Sequence, residues 1–204
     1  MDLNSALQLI STFNNSFSKD VNHQDEPRLK VPNLASIVND SNKTLPKELA
    51  EYIDRICPKD DWVFEGVGHP VELLNVADLS FFKPSMYEGL TGDLGKWQDD
   101  WFLIAHEGGD PIIVKISEQG ETSTVYSAMQ GMGYWDFAPI ADSIGQFLVC
   151  IFAIQHALNF PAVQEPLDDD FNLASAAANW LFPLLRQHAG AHYEEWASVF
   201  ENYI

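Results

Sequence analysis

The chain has 204 residues and carries 30 Asp and Glu against 11 Lys and Arg, a formal charge of −19 with the histidines neutral. That balance argues against a nucleic-acid binder, which needs clustered cations to meet phosphate, and against attachment to an anionic membrane surface. With 46% apolar and 12% aromatic residues there is ample material for one core of ordinary domain size, which excludes intrinsic disorder despite the charge.

Residues 3–13 place Leu3, Leu7, Ile10 and Phe13 near helical spacing and predict a helix. Asn14 to Val31, rich in Asn, Ser, Asp and Pro, reads as a loop. A second helix is expected to open at Leu45-Pro46 with Thr44 as its cap, to carry a stripe of Leu49, Ile53 and Ile56, and to stop at Pro58. The period then shortens: Trp62 to Phe64 and Val71 to Leu74 are apolar pieces separated by Gly66 and Gly68, which predicts strands. Residues 101–116 give the strongest hairpin signal, WFLIA and IIVKI around an HEGGDP turn whose glycines supply positive φ angles. Thr122 to Ala128 is a further strand candidate. From Pro139 the period is read as helical again, with Ile140, Ile144, Phe147, Leu148 and Ile151 on one face and Asp142 or Ser143 at the start. Asp168 to Phe171 are expected to cap a helix over Leu173 to Leu185, bent at Pro183, and a last segment runs from Tyr193 to Tyr203.

The N-terminus has neither a basic segment nor an apolar run of signal-peptide kind. The stretch from Phe147 to Phe160 is broken by Gln155, His156 and Asn159, so no membrane span is expected. Cys57 and Cys150 are far apart and lack CxxC partners, which reads as a reduced, cytoplasmic chain with both thiols acting as small hydrophobes. The acidity is uneven. Residues 116–204 hold 11 acids against Arg186 alone, and no Lys or Arg stands between Ile116 and Leu185. A basic partner is best sought there.

Four constellations bear on chemistry. His106-Glu107-Gly108-Gly109-Asp110 gathers a base and two carboxylates, but its residue types are first those of a polar turn between buried strands. His188 and His192 stand four apart, yet Gly190 lies between them and the second position is Ala189 rather than the Glu of HExxH, so a surface turn is preferred to zinc. Asp168-Asp169-Asp170 lacks the alternating ligands of a calcium loop and reads as a cap or an interaction patch. Gly131 to Pro139 sets three aromatics about Asp136, either to pin a loop to the core or to supply binding anchors.

A dispersed series of pieces carries a resemblance: Leu45-Pro46 opening a helix that includes Tyr52-Ile53, Phe102-Leu103-Ile104, Gly108-Gly109 ahead of a strand, Val125-Tyr126, and the run Ile140 to Leu148. Across about residues 30–160 the chain resembles the SUKH superfamily, which includes bacterial immunity proteins of polymorphic and contact-dependent toxin systems and a fungal cell-wall regulator. It departs from the common pattern at Gly145 and Gln146, where acidic or bulkier residues are usual, and in residues 161–204, which extend past the usual core. The resemblance implies an α/β (α+β) fold, a twisted and mainly antiparallel sheet with surrounding helices, here with a helical C-terminal extension in one domain over 1–204. It implies no catalytic residues, metal or cofactor, and stoichiometric binding of a cognate toxin as the function.

The sequence therefore predicts a cytoplasmic immunity protein that occludes a bacterial toxin, delivered by contact or by type VI secretion, with a basic nuclease as the favoured kind. No nucleic acid or membrane partner is expected. The candidate toxin-binding residues are Glu118, Glu121, Tyr134, Trp135, Asp136, Asp168, Asp169 and Asp170. A regulatory scaffold is the first alternative, and a metal-dependent hydrolase built on His106, Glu107 and Asp110, or on His188 and His192, is the second.

Overall fold

A computed structural model describes residues 1–14, 44–75, 78–79, 96–130, 132, 134–161 and 163–203. The expected loop over Asn14 to Val31 therefore lies almost wholly outside the described residues, as do Gly131 and Gly133. Helix α1 spans Leu3–Phe13 and α2 spans Lys47–Arg55. Six strands follow: β1 (Trp62–Phe64), β2 (Val71–Leu73), β3 (Trp101–Glu107), β4 (Asp110–Lys115), β5 (Val125–Ser127) and β6 (Ala138–Ala141). Helices α3 (Ile144–Leu158), α4 (Ser175–His188) and α5 (Tyr193–Ala197) complete the elements of the described residues, with a 3₁₀ turn at Gly190–His192 between the last two. The class is α+β, an antiparallel sheet with helices packed around it.

Strand order is the chain order, β1 to β6, and every neighbouring pair is antiparallel. The β3–β4 hairpin closes on two residues, with Glu107 opposite Asp110. Gly108 and Gly109 hold φ of 56° and 105°, the left-handed region that such a turn requires and that a side chain resists. Phe102 to His106 and Pro111 to Val114 are buried without alternation, so the two central strands are covered on both faces. A register shift between Leu103 and Ala105 marks a bulge in β3.

Helix α3 explains its own burial. Its apolar residues run around the whole circumference, so it is enclosed rather than laid on a surface, and only Gln155, His156 and Leu158 are not fully buried. Phe152 meets Phe64 of β1 edge to face at 4.7 Å between centroids, while α1 and α4 pack on the other sides. No helix among the described residues is long and apolar enough to cross a membrane.

Several boundaries differ from the sequence expectation. The segment Pro139-Ile140-Ala141 belongs to strand β6 and not to the following helix. Proline has no N–H to give to a sheet ladder, and β6 is an edge strand where that donor is not needed on both sides. The helix begins only after Ser143, whose side chain accepts from the N–H of Gln146. Thr44 does not cap α2: the capping position is Pro46, and no side chain caps there. Helix α4 opens at Ser175 behind Ala174 without a side-chain cap, two residues later than expected, and continues through Pro183 to His188. Of the two thiols, Cys150 is fully buried and its pKa is pushed up by that burial. Cys57 is half-buried, with Sγ 3.5 Å from the carbonyl oxygen of Leu74.

Candidate binding cleft

The structure separates the eight predicted binding residues. Glu118 and Glu121 lie in the connection after β4, at the end of the sheet where α3 begins, because Val125 pairs with Val114 and Ala141 while Ser127 pairs with Ile112 and Ala138. Both are already engaged: Tyr126 donates its hydroxyl to Glu118 at 2.8 Å, and Glu121 is ion-paired with Lys47. Burial, and then the Glu118 carboxylate, push the Tyr126 hydroxyl up to about 12. Tyr134 and Asp136 lie at the opposite end, before β6.

Trp135 is a correction. Its side chain is turned inward and only 8% exposed, with Trp97 at 5.8 Å and Phe137 stacked at 5.9 Å between ring centroids. The segment thus pins itself to the core through Trp135 and Phe137, as large aromatics favour, and presents Tyr134 and Asp136 outward. Trp135 is not available as a surface anchor.

Asp168 does local work. Its Oδ1 accepts from the N–H of Asp170 at 3.0 Å and of Asn172 at 2.7 Å, and these bonds hold its carboxyl below the usual carboxylate range. It is the hub of a turn rather than a helix cap. The turn carries Phe171 at φ 60°, half exposed, with Asp169 and Asp170 on the outside. Charge reversal at Asp168 would therefore disturb the turn, whereas Asp169 and Asp170 can be changed without that confusion.

A cleft of about 440 Å³ opens at the end of the sheet that carries the β3–β4 turn. Its floor is apolar, from Ile140 of β6 and Ile151 and Ile154 of α3. Five carboxylic acids line it: Glu65 from the β1–β2 connection, Glu107, Asp110, Asp136 and Glu195 of α5. No Lys, Arg or His is among its described lining residues. Its rim holds Met129, Met132, Tyr134 and Val199, exposed by 68%, 55%, 40% and 37%. Soluble proteins rarely leave such side chains together at the surface unless the patch binds something.

The five acids differ in how far they are committed. Glu65 accepts from Asn159 Nδ2 at 2.8 Å, and its N–H is taken by the side-chain oxygen of Gln155, which fixes this wall to the C-terminal end of α3. Asp110 accepts from the N–H of Gln130 through Oδ1 at 2.6 Å. Glu107, Asp136 and Glu195 make no side-chain hydrogen bond or ion pair with any described residue. Burial raises the Glu107 pKa above the ordinary carboxylate value, and the facing Asp110 raises it further, while His69 acts the other way.

The sign for stability follows from linkage. The folded chain holds the Glu107 proton more tightly than the unfolded chain does, so its charge costs nothing below the ordinary carboxylate range. The cost grows as pH rises through the raised value. Glu107→Gln is therefore expected to melt about 1–3 °C above the parent at pH 8, from the roughly 0.2–1 kcal/mol that like charges opposite each other cost in a ladder. The difference should vanish near pH 4. Paired thermal melts at the two pH values check this, and a Tm difference independent of pH would refute it.

The histidines of the two hydrolase constellations sit in separate parts of the fold. His106 is a buried residue of β3 whose pKa is lowered by burial. His188 closes α4, and His192 sits in the 3₁₀ turn with Nε2 2.9 Å from Asp142 Oδ1. Among the described residues no three His, Cys, Asp or Glu side chains gather as a metal site would require. Of the predicted binding residues, sequence reasoning named two that line the cleft, Tyr134 and Asp136. It missed Glu65, Glu195, Met129 and Met132 as members, and it read Glu107 and Asp110 only as a turn or a catalytic loop. The one local signal was the pair of methionines in a Gly-rich stretch, too short to show any periodicity.

The chain matches no protein-family model, no curated protein and no solved structure.

Proposed function

We propose that this protein is a non-catalytic cytoplasmic immunity protein that neutralises a basic protein toxin by stoichiometric occlusion, with the acidic cleft as the docking site. The observation that carries the reading is the cleft itself: Glu107, Asp136 and Glu195 make no side-chain hydrogen bond or ion pair with the described residues and stand beside exposed Met129, Met132 and Tyr134. Uncompensated charge of one sign next to apolar anchors suits a partner that brings cations and apolar side chains together. The net charge of −19 would steer such a partner and speed its association by roughly 10 to 1,000-fold. The resemblance to SUKH proteins supports the same role.

The test is co-expression with the product of the adjacent reading frame. The expected result is restored growth of cells making that product, and its co-purification with this protein at equal stoichiometry. If growth is not restored and the two proteins elute apart, the reading is abandoned.

A further inference from the structure

The shape and charge of the cleft also specify what enters it. We infer that it takes one cationic side chain, Lys or Arg, carried on a protein segment between apolar residues, with the charge at Glu107 and Asp110 and the flanking residues on Met129 and Met132. This inference rests on the docking role proposed above and names the part of the partner that is recognised.

Glu107 and Asp110 are directly opposed across the Gly108–Gly109 turn, so their charges face each other at the closed end of a hairpin. The turn fixes that spacing, because both glycines sit at positive φ, and at Gly108 a Cβ would lie 2.6 Å from the ring of His69. An incoming cation relieves the repulsion between the two acids and binds both. Asp110 is held by Gln130 through one oxygen, which orients it at no loss of acceptor capacity, since a carboxylate has about four lone-pair sites.

The second requirement, apolar flanks, comes from the rim. Met129 and Met132 are more than half exposed, and an unbranched thioether side chain adapts its shape to a guest. A volume of about 440 Å³ lies within the roughly 300–1,000 Å³ that holds a compact ligand. It accommodates a few side chains of a segment and not a folded domain. A small polyamine would satisfy the carboxylates and leave the methionines uncovered.

The probes are three capped peptides, Leu-Arg-Leu, Leu-Gln-Leu and Gly-Arg-Gly, together with spermidine, titrated into the full chain while the methionine methyl resonances are followed. Leu-Arg-Leu is expected to shift Met129 and Met132 and to bind about tenfold or more tightly than each of the other three, a difference of about 1.4 kcal/mol. Glu107→Gln should remove about tenfold from the Leu-Arg-Leu affinity. Met129→Ala, an exposed substitution, should weaken Leu-Arg-Leu and leave Gly-Arg-Gly unchanged. Equal binding of Leu-Gln-Leu or of spermidine, or silent methionine methyls at millimolar peptide, would overturn the inference. Should the peptides fail while co-expression still protects cells, the toxin uses another surface and only this specificity is lost. Should the peptides bind while protection fails, the site stands and the neutralising role does not.

Discussion

Glu48→Ala is expected to lower stability by about 3 kcal/mol or more, a fall in Tm of about 6–12 °C for a chain of this size. Glu48 lies in the first turn of α2 and is 2% exposed; no described Lys or Arg is ion-paired with it, and the N-terminal ammonium is the least of the influences on its carboxyl. Its Oε2 accepts from the N–H of Ser123 at 2.7 Å and of Ile144 at 3.2 Å, and its Oε1 accepts from the N–H of Gly145 at 3.1 Å. The first N–H groups of a helix have no partner within it. At α3, Glu48 takes the first two, Ser143 Oγ takes that of Gln146, and the Ser143 carbonyl takes that of Phe147. Burial raises the Glu48 pKa, while the three N–H groups oppose that rise. Removing the carboxylate leaves three buried donors unmet, each costing about 1–3 kcal/mol before relaxation.

Glu48→Gln separates hydrogen bonding from packing. The amide keeps the shape and one acceptor oxygen but turns an NH₂ toward one of the donors, so a loss of about 1 kcal/mol is expected. Hydrogen exchange gives the local readout, since the amides of Ser123, Ile144 and Gly145 should lose protection together. An alanine variant that melts with the parent would remove Glu48 from this role.

Nothing in the sequence around Glu48 announces it. A Glu in the first turn of an amphipathic helix is ordinarily a solvated residue that suits the helix dipole, and its partners stand 75 to 97 positions away. Local order was legible where a local cause existed. The Gly108–Gly109 turn between β-branched runs dictated the hairpin, and the spacing of Leu3, Leu7 and Ile10 dictated α1. Strand β6 was not legible, because Pro139-Ile140-Ala141 continues the apolar phase of the helix behind it and only pairing with β5 distinguishes the two.

Gly145 and Gln146 both have physical roles in this chain. At Gly145 a Cβ would lie 3.1 Å from both the Ala6 side chain and the Asp2 carbonyl, so its absence lets α1 come close to the start of α3. Gln146 accepts from the N–H of Asp142 and donates to the His188 carbonyl at 2.6 Å, tying the same helix end to α4. Both residues therefore serve elements at the two ends of the chain. The cleft was illegible for a related reason: Glu65, Glu107, Asp136 and Glu195 converge from four separate connections and elements, and 30 acids offer too many pairings to single them out.

Reversing charge at the cleft, Asp136→Lys with Glu195→Lys, is expected to weaken association with the toxin captured by co-expression by about 100-fold or more. Both residues are exposed, and neither bonds to another described side chain, so the fold should keep its Tm within about 2 °C. The expected loss is about 2.7 kcal/mol, at the lower end of what truncating one partner of a close interfacial charge pair costs. Asp169→Lys with Asp170→Lys is the matched control: it makes the same change of charge on the outer face of the Asp168 turn, so it should slow association through the long-range field alone. Salt separates the two contributions. Raising ionic strength from 0.1 M to 1 M shortens the screening length from about 10 Å to about 3 Å. The parent and the control should then lose about tenfold or more in association rate and converge. The cleft variant should stay weak at every salt concentration, because its loss is a contact that no longer forms. If the reversed cleft binds as the parent does while the Asp169 and Asp170 reversal does not, the docking face is the turn that displays Phe171.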